Sequence, residues 1–165
     1  DSNLYTYSNE AAEYFYRLGM IQDTIPVELN RKEILRRENS RSEMIIYGRL
    51  PLMITAQCIH KNTLGCMHQL KVLNLKDRYS VYFPVKNFCS ECYNVIYNSL
   101  PVCLFKEDVT VKKIAPAAVR LSFTTETEEE TEQILTIYGD IYKNGGILGQ
   151  MPMECTNGHF KRGVE

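Results

Sequence analysis

Residues 117–144 read AAVRLSFTTETEEETEQILTIYGDIYKN, and this stretch decides the fold class. Apolar residues alternate with polar ones in AAVRLSFTT, which is typical of a β-strand, and the part that follows has apolar residues at helical spacing. We expect Thr125 to cap the helix, with Glu128 as its reciprocal partner. The acidic run from Glu126 to Glu130 then lies in the first turn, where the helix dipole favours negative charge. The predicted buried face consists of Ile134, Ile137, Tyr138 and Ile141.

The same order of elements occurs near the start of the chain. Ser8 and Gly19 bracket the helical stretch NEAAEYFYRL, and DTIPVELN is typical of a strand bordered by Pro26. Asn30 and Glu33 form a capping-box pattern ahead of RKEILRREN, and EMIIYG then indicates a buried strand. Strands that alternate with helices pair in parallel through crossover connections. The pattern predicts an α/β layer or part of a barrel.

A different kind of segment separates these two units. Residues 51–108 contain no long helical pattern but show a hairpin-like pair, HQLKVLNLKDR and YSVYFPVKN, followed by YNVIYNSLPVCLF. Five of the six cysteines fall in this segment. We therefore predict one domain, residues 1–165, that carries a cysteine-bearing β-rich insertion at 51–108.

Composition and charge exclude some classes of protein. The chain is 44% hydrophobic and 24% charged, and its formal net charge of -1 gives no global attraction to nucleic acid or to anionic membranes. No apolar stretch approaches the roughly 20 residues of a membrane-spanning helix, and the start lacks the pattern of a signal peptide. We predict a cytoplasmic protein without a membrane partner. Because the sequence starts abruptly and without Met, we expect it to be a fragment of a longer protein.

Four cysteines have spacing that indicates a metal site. Seven residues separate Cys58 from Cys66, 22 separate Cys66 from Cys89, and two separate Cys89 from Cys92. A two-residue gap lets two thiolates turn toward one ion, and the hairpin could bring both pairs together. Four thiolates suit a tetrahedral zinc ion or an iron–sulfur cluster, so we predict Cys58, Cys66, Cys89 and Cys92 as metal ligands.

The other uses of these side chains stay open at this stage. Buried, chemically inert thiols are one alternative, and for Cys103 in PVCLF that is the leading interpretation. A redox disulfide between Cys89 and Cys92 is another, although a strand rather than a helix is expected to follow the pair. His60 and His68 flank the first pair and could replace a thiolate in a zinc site, but second-shell or surface histidines are more common.

No complete catalytic motif is present. The sequence has no G-x-S-x-G, H-E-x-x-H, P-loop or G-x-G-x-x-G pattern. A nucleophile and base assembled from Cys58 and His60 would have no orienting third group. The terminal GHFKRGVE gathers His159, Lys161 and Arg162, enough donors for one anion, although a solvated or docked tail is the commoner use of such a segment.

Several strings, in chain order, resemble a known family. PVELNRKEI, YGRLPLMITAQC, LKDRYSVYFPV, CSECYNVIYNS, VRLSFTTE and GHFKRGVE look like the C-terminal region of long bacterial members of the collagenase-like peptidase family, the thirty-second family of peptidases of unknown catalytic type. The resemblance runs from about Tyr5 to Glu165. It implies that this chain lacks the N-terminal catalytic-type barrel and the middle domain of the family, which would be its partners.

The resemblance implies a peptidase domain with a partial TIM-barrel-like arrangement, since 165 residues are too few for a whole barrel. We expect such a domain to be inactive alone. Other relatives hydroxylate RNA bases or take part in quinone hydroxylation and bind iron–sulfur clusters through four cysteines, although with different spacing. This implies a second hypothesis, iron–sulfur-dependent RNA modification, with Arg49, Arg78, Lys161 and Arg162 as phosphate contacts. A third hypothesis is a structural zinc module that docks on the parent protein.

Overall fold

The computed structural model describes residues 2–66, 68–145 and 153–164, and within these ranges the chain is a mixed α/β protein with five α-helices and two four-stranded sheets. The helices are α1 (Asn9–Arg17), α2 (Arg31–Arg36), α3 (Ile59–Leu64), α4 (Asp108–Ile114) and α5 (Glu128–Gly139), the last continuing as a π-helical turn over Asp140–Asn144. The strands are β1 (Asp23–Thr24), β2 (Ser42–Gly48), β3 (Pro51–Thr55), β4 (Val72–Lys76), β5 (Tyr82–Phe88), β6 (Tyr93–Tyr97), β7 (Val102–Cys103) and β8 (Ala118–Ser122). In these ranges none of the helices has the length and apolar character needed to cross a bilayer.

The first sheet is built around β2, the apolar strand that the sequence predicts from EMIIYG. β1 and β8 both pair with β2 in parallel, as expected from the alternating strands and helices. The short β7 pairs with the end of β2 in the antiparallel direction. Gly48, at the end of β2, has φ 147°, and a Cβ there would lie 2.7 Å from the Ser122 carbonyl oxygen. Glycine therefore permits the close approach of β2 to β8.

The core lies between this sheet and its helices. From α5 and its π-helical extension, Ile134, Tyr138 and Ile141 are buried, and Ile137 packs against the core from a partly buried position. This agrees with the predicted face of the helix. The Tyr138 hydroxyl donates a hydrogen bond of 2.8 Å to the Ile46 carbonyl of β2, which satisfies its one buried polar atom.

The two predicted helix starts differ in outcome. The capping box of α2 is confirmed, because Asn30 accepts from the Glu33 backbone N–H and the Glu33 carboxylate accepts from the Asn30 N–H. The predicted cap of α5 is wrong by two residues. Thr127, not Thr125, caps the helix, and Glu130 is its reciprocal partner.

Glu126 explains the shift. Its carboxylate accepts hydrogen bonds from the backbone N–H groups of Thr124 and Thr125, at 2.6 and 3.0 Å, and from the Tyr47 hydroxyl at 2.9 Å. These bonds hold the loop between β8 and α5 in a non-helical conformation for two more residues. Glu126 therefore anchors the loop to β2 and is not part of the acidic first helical turn.

The second sheet is antiparallel, with strand order β3-β6-β5-β4, and it contains the predicted hairpin as β4 and β5. It covers residues 51–97, most of the predicted insertion at 51–108, whereas β7 and the start of α4 belong to the first sheet and its core. Within the described ranges neither sheet closes into a barrel.

The C-terminal segment, residues 153–164, is docked on the core, and we call it the strap. Thr156 exchanges two backbone hydrogen bonds with β7 and the residue before it, and the Phe160 side chain is buried in the hydrophobic core. The Lys161 ammonium lies 2.9 Å from the Glu107 carboxylate. The docked form of the tail is therefore the one observed.

A disulfide joins Cys103 to Cys155 and fastens the strap to β7, with the two Cα atoms 5.6 Å apart. The expected burial of Cys103 is confirmed, but the expectation of an inert free thiol is wrong. Sequence alone does not indicate the pairing, because 52 positions separate the two cysteines.

Candidate metal centre

Cys89 and Cys92 lie in the tight turn that joins β5 to β6. Phe88 and Tyr93 pair across the strands immediately before and after the turn, and their rings stack with centroids 4.7 Å apart. Cys92 adopts the left-handed backbone conformation, φ 56°, which is uncommon for a residue other than glycine. The turn therefore projects both cysteines from one end of the second sheet.

Cys58 and Cys66 bracket α3, a short helix that the sequence analysis did not predict. Cys58 is its N-cap, and its sulfur accepts a hydrogen bond from the Lys61 N–H at 3.5 Å. Gly65 ends the helix with φ 84°, so that Cys66 follows directly after the helix end. The buried His60 places its Nδ1 2.9 Å from the Gly65 carbonyl oxygen, which fixes the loop that carries Cys66.

Two buried asparagines attach these cysteine loops to the hairpin turn. Asn87 and Asn94 face each other across β5 and β6, and their exposed fractions are 2% and 0%. Asn87 bonds to Gln69 and Lys71, beyond Cys66, whereas Asn94 donates to the carbonyl of Gln57, the residue before Cys58. The sequence analysis missed both asparagines, although they flank the C-x-x-C pair symmetrically in NFCSECYN.

The surroundings of the Cys89 thiol relate the two cysteine pairs. Partial burial raises the pKa of the Cys89 thiol, and the charges of Cys66, Cys58 and Cys92 raise that pKa further. The Cys89 sulfur lies 3.0 Å from the carbonyl of Gln69, three residues after Cys66, and Asn94, two residues after Cys92, donates to the carbonyl of Gln57, the residue before Cys58. These contacts connect the turn to the segments next to Cys58 and Cys66. All four thiols are free of disulfides, including Cys89 and Cys92.

Two of the four thiols act as hydrogen-bond donors. Among the described residues, no three histidine, cysteine, aspartate or glutamate side chains already form a metal-binding group. The Cys89 thiol instead donates to the Gln69 carbonyl at 3.0 Å, and the Cys92 thiol donates to the Cys89 carbonyl at 3.7 Å. Thiolates have no proton to donate, so metal binding would release these bonds and let the sulfurs turn toward an ion.

The donor set fits a metal that prefers sulfur. Four cysteines near one another, two of them in a tight turn, are the ligand set of structural zinc and of iron–sulfur clusters. His60 contacts a backbone carbonyl in the position of a supporting residue, and His68 lies in an exposed left-handed turn conformation, φ 50°.

The predicted phosphate contacts lie in different environments. The Arg49 guanidinium donates to the backbone carbonyls of Asn98 and Ser99, and Lys161 pairs with Glu107. Arg78 stacks over the exposed ring of Tyr79, 4.7 Å from its centroid. Arg49 and Lys161 are therefore engaged by protein groups, whereas Arg78 and Arg162 keep exposed positions.

The histidines do not support the nucleophile-and-base arrangement. The Nδ1 atoms of His60 and His159 are directed at the carbonyl oxygens of Gly65 and Gly163, at 2.9 and 3.1 Å. A general base must instead be within hydrogen-bond reach of its nucleophile. The pairing of Cys58 with His60 thus has no supporting contact.

Comparisons with known proteins found no family model, curated protein or solved structure that matches this chain.

Proposed function

We propose that this chain is a metal–thiolate module in which Cys58, Cys66, Cys89 and Cys92 hold a single zinc ion with a structural role. The observation that supports it is a set of hydrogen bonds at one end of the second sheet, which connect Gln57, the residue before Cys58, to Asn94, and Gln69, three residues after Cys66, to Asn87 and Cys89. Four protein ligands leave a zinc ion no open position for a substrate, which is the arrangement of structural sites.

The ion would cross-link segments that lie far apart in sequence. Cys58 and Cys66 border a six-residue helix, and the strand Val72–Lys76 that follows has mostly exposed side chains. Little apolar surface is therefore available to stabilise this part of the chain. A metal that binds the folded form and not the unfolded one adds its binding free energy to folding. Zinc supplies that cross-link when bound.

Metal analysis tests the proposal. We expect chain prepared without oxygen to bind one zinc per molecule and to show a raised midpoint of thermal unfolding. Cys89→Ser should lose the ion, because a hydroxyl is a poor ligand for zinc compared with a thiolate. The measurements are elemental analysis after gel filtration and thermal unfolding with and without a chelator.

His68→Asn is the matched control. His68 lies near Cys66 but outside the proposed ligand set, and asparagine tolerates its left-handed backbone conformation. This variant should keep one zinc per chain. A wild-type chain that binds neither zinc nor iron, or a Cys89→Ser variant that keeps its metal, would contradict the proposal. Iron with inorganic sulfide in place of zinc would favour the iron–sulfur hypothesis.

The predictions that come from the family resemblance stay predictions. The parallel run of β1, β2 and β8 supports a partial TIM-barrel, and the antiparallel β7 on β2 counts against it. Peptidase activity has no supporting contact among the described residues.

Docking on the remaining domains of a parent protein is supported by β3, an edge strand on which Leu52, Met53 and Ile54 are exposed.

Cytoplasmic location also stays a prediction. The disulfide between Cys103 and Cys155 is of a kind that persists mainly in oxidising compartments. The four free thiols favour a reducing one.

A second candidate function, contact with single-stranded RNA, is favoured by the hairpin of β4 and β5. Its residues 70–86 carry four cationic side chains and one carboxylate, Asp77. That carboxylate is engaged in closing the turn, where it accepts from the N–H groups of Tyr79 and Val81. Tyr79 and Tyr82 are 71% and 55% exposed, which suits them to stack on bases next to phosphate-binding cations.

Fluorescence anisotropy with a labelled 12-residue oligouridine at low salt tests this candidate. We expect Tyr82→Ala to weaken binding roughly 5- to 150-fold, since stacking on an aromatic side chain contributes about 1–3 kcal/mol per base. Lys32→Ala, an exposed cation on α2, is the control and should change the affinity little. Equal losses in both variants, or no binding by the wild type, would contradict RNA contact through the hairpin.

A further inference from the structure

We infer that Asn87 and Asn94 are the positioning residues of the four-cysteine site, each fastening one cysteine loop to the hairpin turn. This inference rests on the proposed function of the cysteines. The two asparagines occupy equivalent places, two residues before Cys89 and two residues after Cys92. They are also paired directly across the antiparallel strands β5 and β6. Their side chains therefore lie on the same face of the sheet.

Asn87 uses three of its four hydrogen-bonding positions to join the two halves of the site. Its two Nδ2 hydrogens are directed at the Gln69 carbonyl, 2.9 Å away, and at the Cys89 sulfur, 3.0 Å away. Its Oδ1 accepts from the Lys71 N–H at 2.5 Å. Gln69 lies three residues after Cys66, so one buried amide ties the loop of Cys66 to the sulfur of Cys89.

Asn94 fastens the other loop. Its Nδ2 donates to the Gln57 carbonyl at 2.8 Å, and Gln57 directly precedes Cys58. Its Oδ1 is fully buried and has no hydrogen-bond partner among the described residues. An unpaired buried acceptor lowers the free energy of unfolding, and an apolar residue at position 94 would avoid this loss. Positioning of Cys58 accounts for the presence of the asparagine.

The two asparagines differ in what they do to the ligands. Asn87 directs an N–H at the Cys89 sulfur itself, 3.0 Å away, whereas Gln69 offers that sulfur only an acceptor. Donors to a metal-bound thiolate tune its electronic properties as well as its orientation. Asn94 instead donates to the backbone carbonyl of Gln57 and acts on Cys58 through that backbone.

Substitution by alanine separates these roles. We expect Asn87→Ala and Asn94→Ala each to weaken Zn²⁺ affinity about 10- to 100-fold, the usual effect of removing a supporting residue. Only Asn87→Ala should also shift the thiolate-to-metal charge-transfer band of the Co²⁺-substituted protein. Asn74→Ala, an exposed asparagine on β4, is the matched control and should behave as wild type. The measurements are competition with a chromogenic chelator and absorption spectra with Co²⁺ alone.

Backbone hydrogen exchange of the metal-free protein gives a readout that does not need metal. The Lys71 N–H should exchange faster than in the wild type in Asn87→Ala, and at the wild-type rate in Asn94→Ala. If the wild type binds no metal, the proposed function fails, and this exchange result alone still decides whether Asn87 fastens the loop. Asn87→Asp, which keeps the acceptor and loses both donors, replaces Asn87→Ala if the alanine variant does not fold. The inference would be overturned if folded Asn87 variants had the Zn²⁺ affinity, the Co²⁺ spectrum and the Lys71 N–H exchange rate of the wild type.

Discussion

Asn in place of Asp23 should lower the free energy of unfolding at pH 7 by about 3–5 kcal/mol, the usual cost of removing one partner of a buried ion pair. The Asp23 carboxylate and the Arg37 guanidinium form this pair, and their side chains are 0% and 2% exposed. Thr6, Tyr16 and Ser42 also donate hydroxyl hydrogen bonds to Asp23, at 2.5–2.6 Å. One carboxylate thus connects the N-terminal segment, α1, the end of α2 and β2.

The same network determines the pH dependence. Burial by itself raises the pKa of Asp23, but the hydrogen bonds from Ser42, Thr6 and Tyr16, together with the Arg37 charge, lower that pKa by more. A carboxyl group whose pKa is lowered in the folded state stabilises the fold above its unfolded pKa of about 3.9. This contribution is lost as the pH falls through the lower, folded value. The difference between wild type and Asp23→Asn should therefore shrink in strong acid.

Urea unfolding at pH 7 and at pH values below about 3.9 measures both effects. Asp108→Asn is the matched control, because Asp108 forms a partly exposed pair with Lys112 on one helix, 3.2 Å apart. Exposed pairs of this kind contribute less than about 1 kcal/mol. A loss of stability in Asp23→Asn no larger than in Asp108→Asn would show that the buried network does not stabilise the fold.

Removal of the Cys103–Cys155 disulfide is the second large effect. We expect the double substitution of Cys103 and Cys155 by alanine to lower the free energy of unfolding by about 4 kcal/mol. The bond closes a loop with a sequence separation of 52, and constraint of the unfolded chain stabilises the fold by an amount that grows with loop length. Phe160 should become exposed to solvent more often, because the bond holds the strap that carries it.

Reductant supplies the internal control for this prediction. Dithiothreitol should destabilise the wild type by a similar amount, since two new thiols replace the bond, and should leave the alanine variant unchanged. Urea unfolding with and without reductant measures the effect, and mass spectrometry under non-reducing conditions detects the bond. Recovery of Cys103 and Cys155 as free thiols from protein purified without reductant would contradict the prediction.

Local sequence determined much of the secondary structure. The capping pair Asn30 and Glu33 lies three residues apart, so its hydrogen bonds depend only on neighbouring backbone, and the structure confirms it. The same motif is wrong at Thr125 because a distant residue, Tyr47, bonds to Glu126 and delays the helix until Thr127. A tertiary contact there outweighed the local pattern.

Sequence spacing predicted a set of four cysteine ligands, and that set stays a prediction. The two residues between Cys89 and Cys92 place those two in one turn, whereas the bonds of Asn87 to Gln69 and of Asn94 to Gln57 connect this turn to the segments next to Cys66 and Cys58. The sequence does not distinguish an asparagine that is buried and bonded to a distant loop from one that lies on the surface. The role of each asparagine depends on the register that pairs β5 with β6, which is a property of the sheet.

By itself, then, the sequence determined the alternation of strands and helices and the buried face of α5, because each is a periodicity, and it predicted the candidate ligand set from a spacing. Only the tertiary structure decided that Cys103 bonds to Cys155, that Asp23 meets Arg37, and that the barrel predicted from the resemblance is not closed within the described residues. The physical reason is that these features depend on which distant segments share a core. The segments that pack together are those that leave the least apolar surface exposed and the fewest polar groups unpaired over the whole chain. A local sequence pattern does not contain this information.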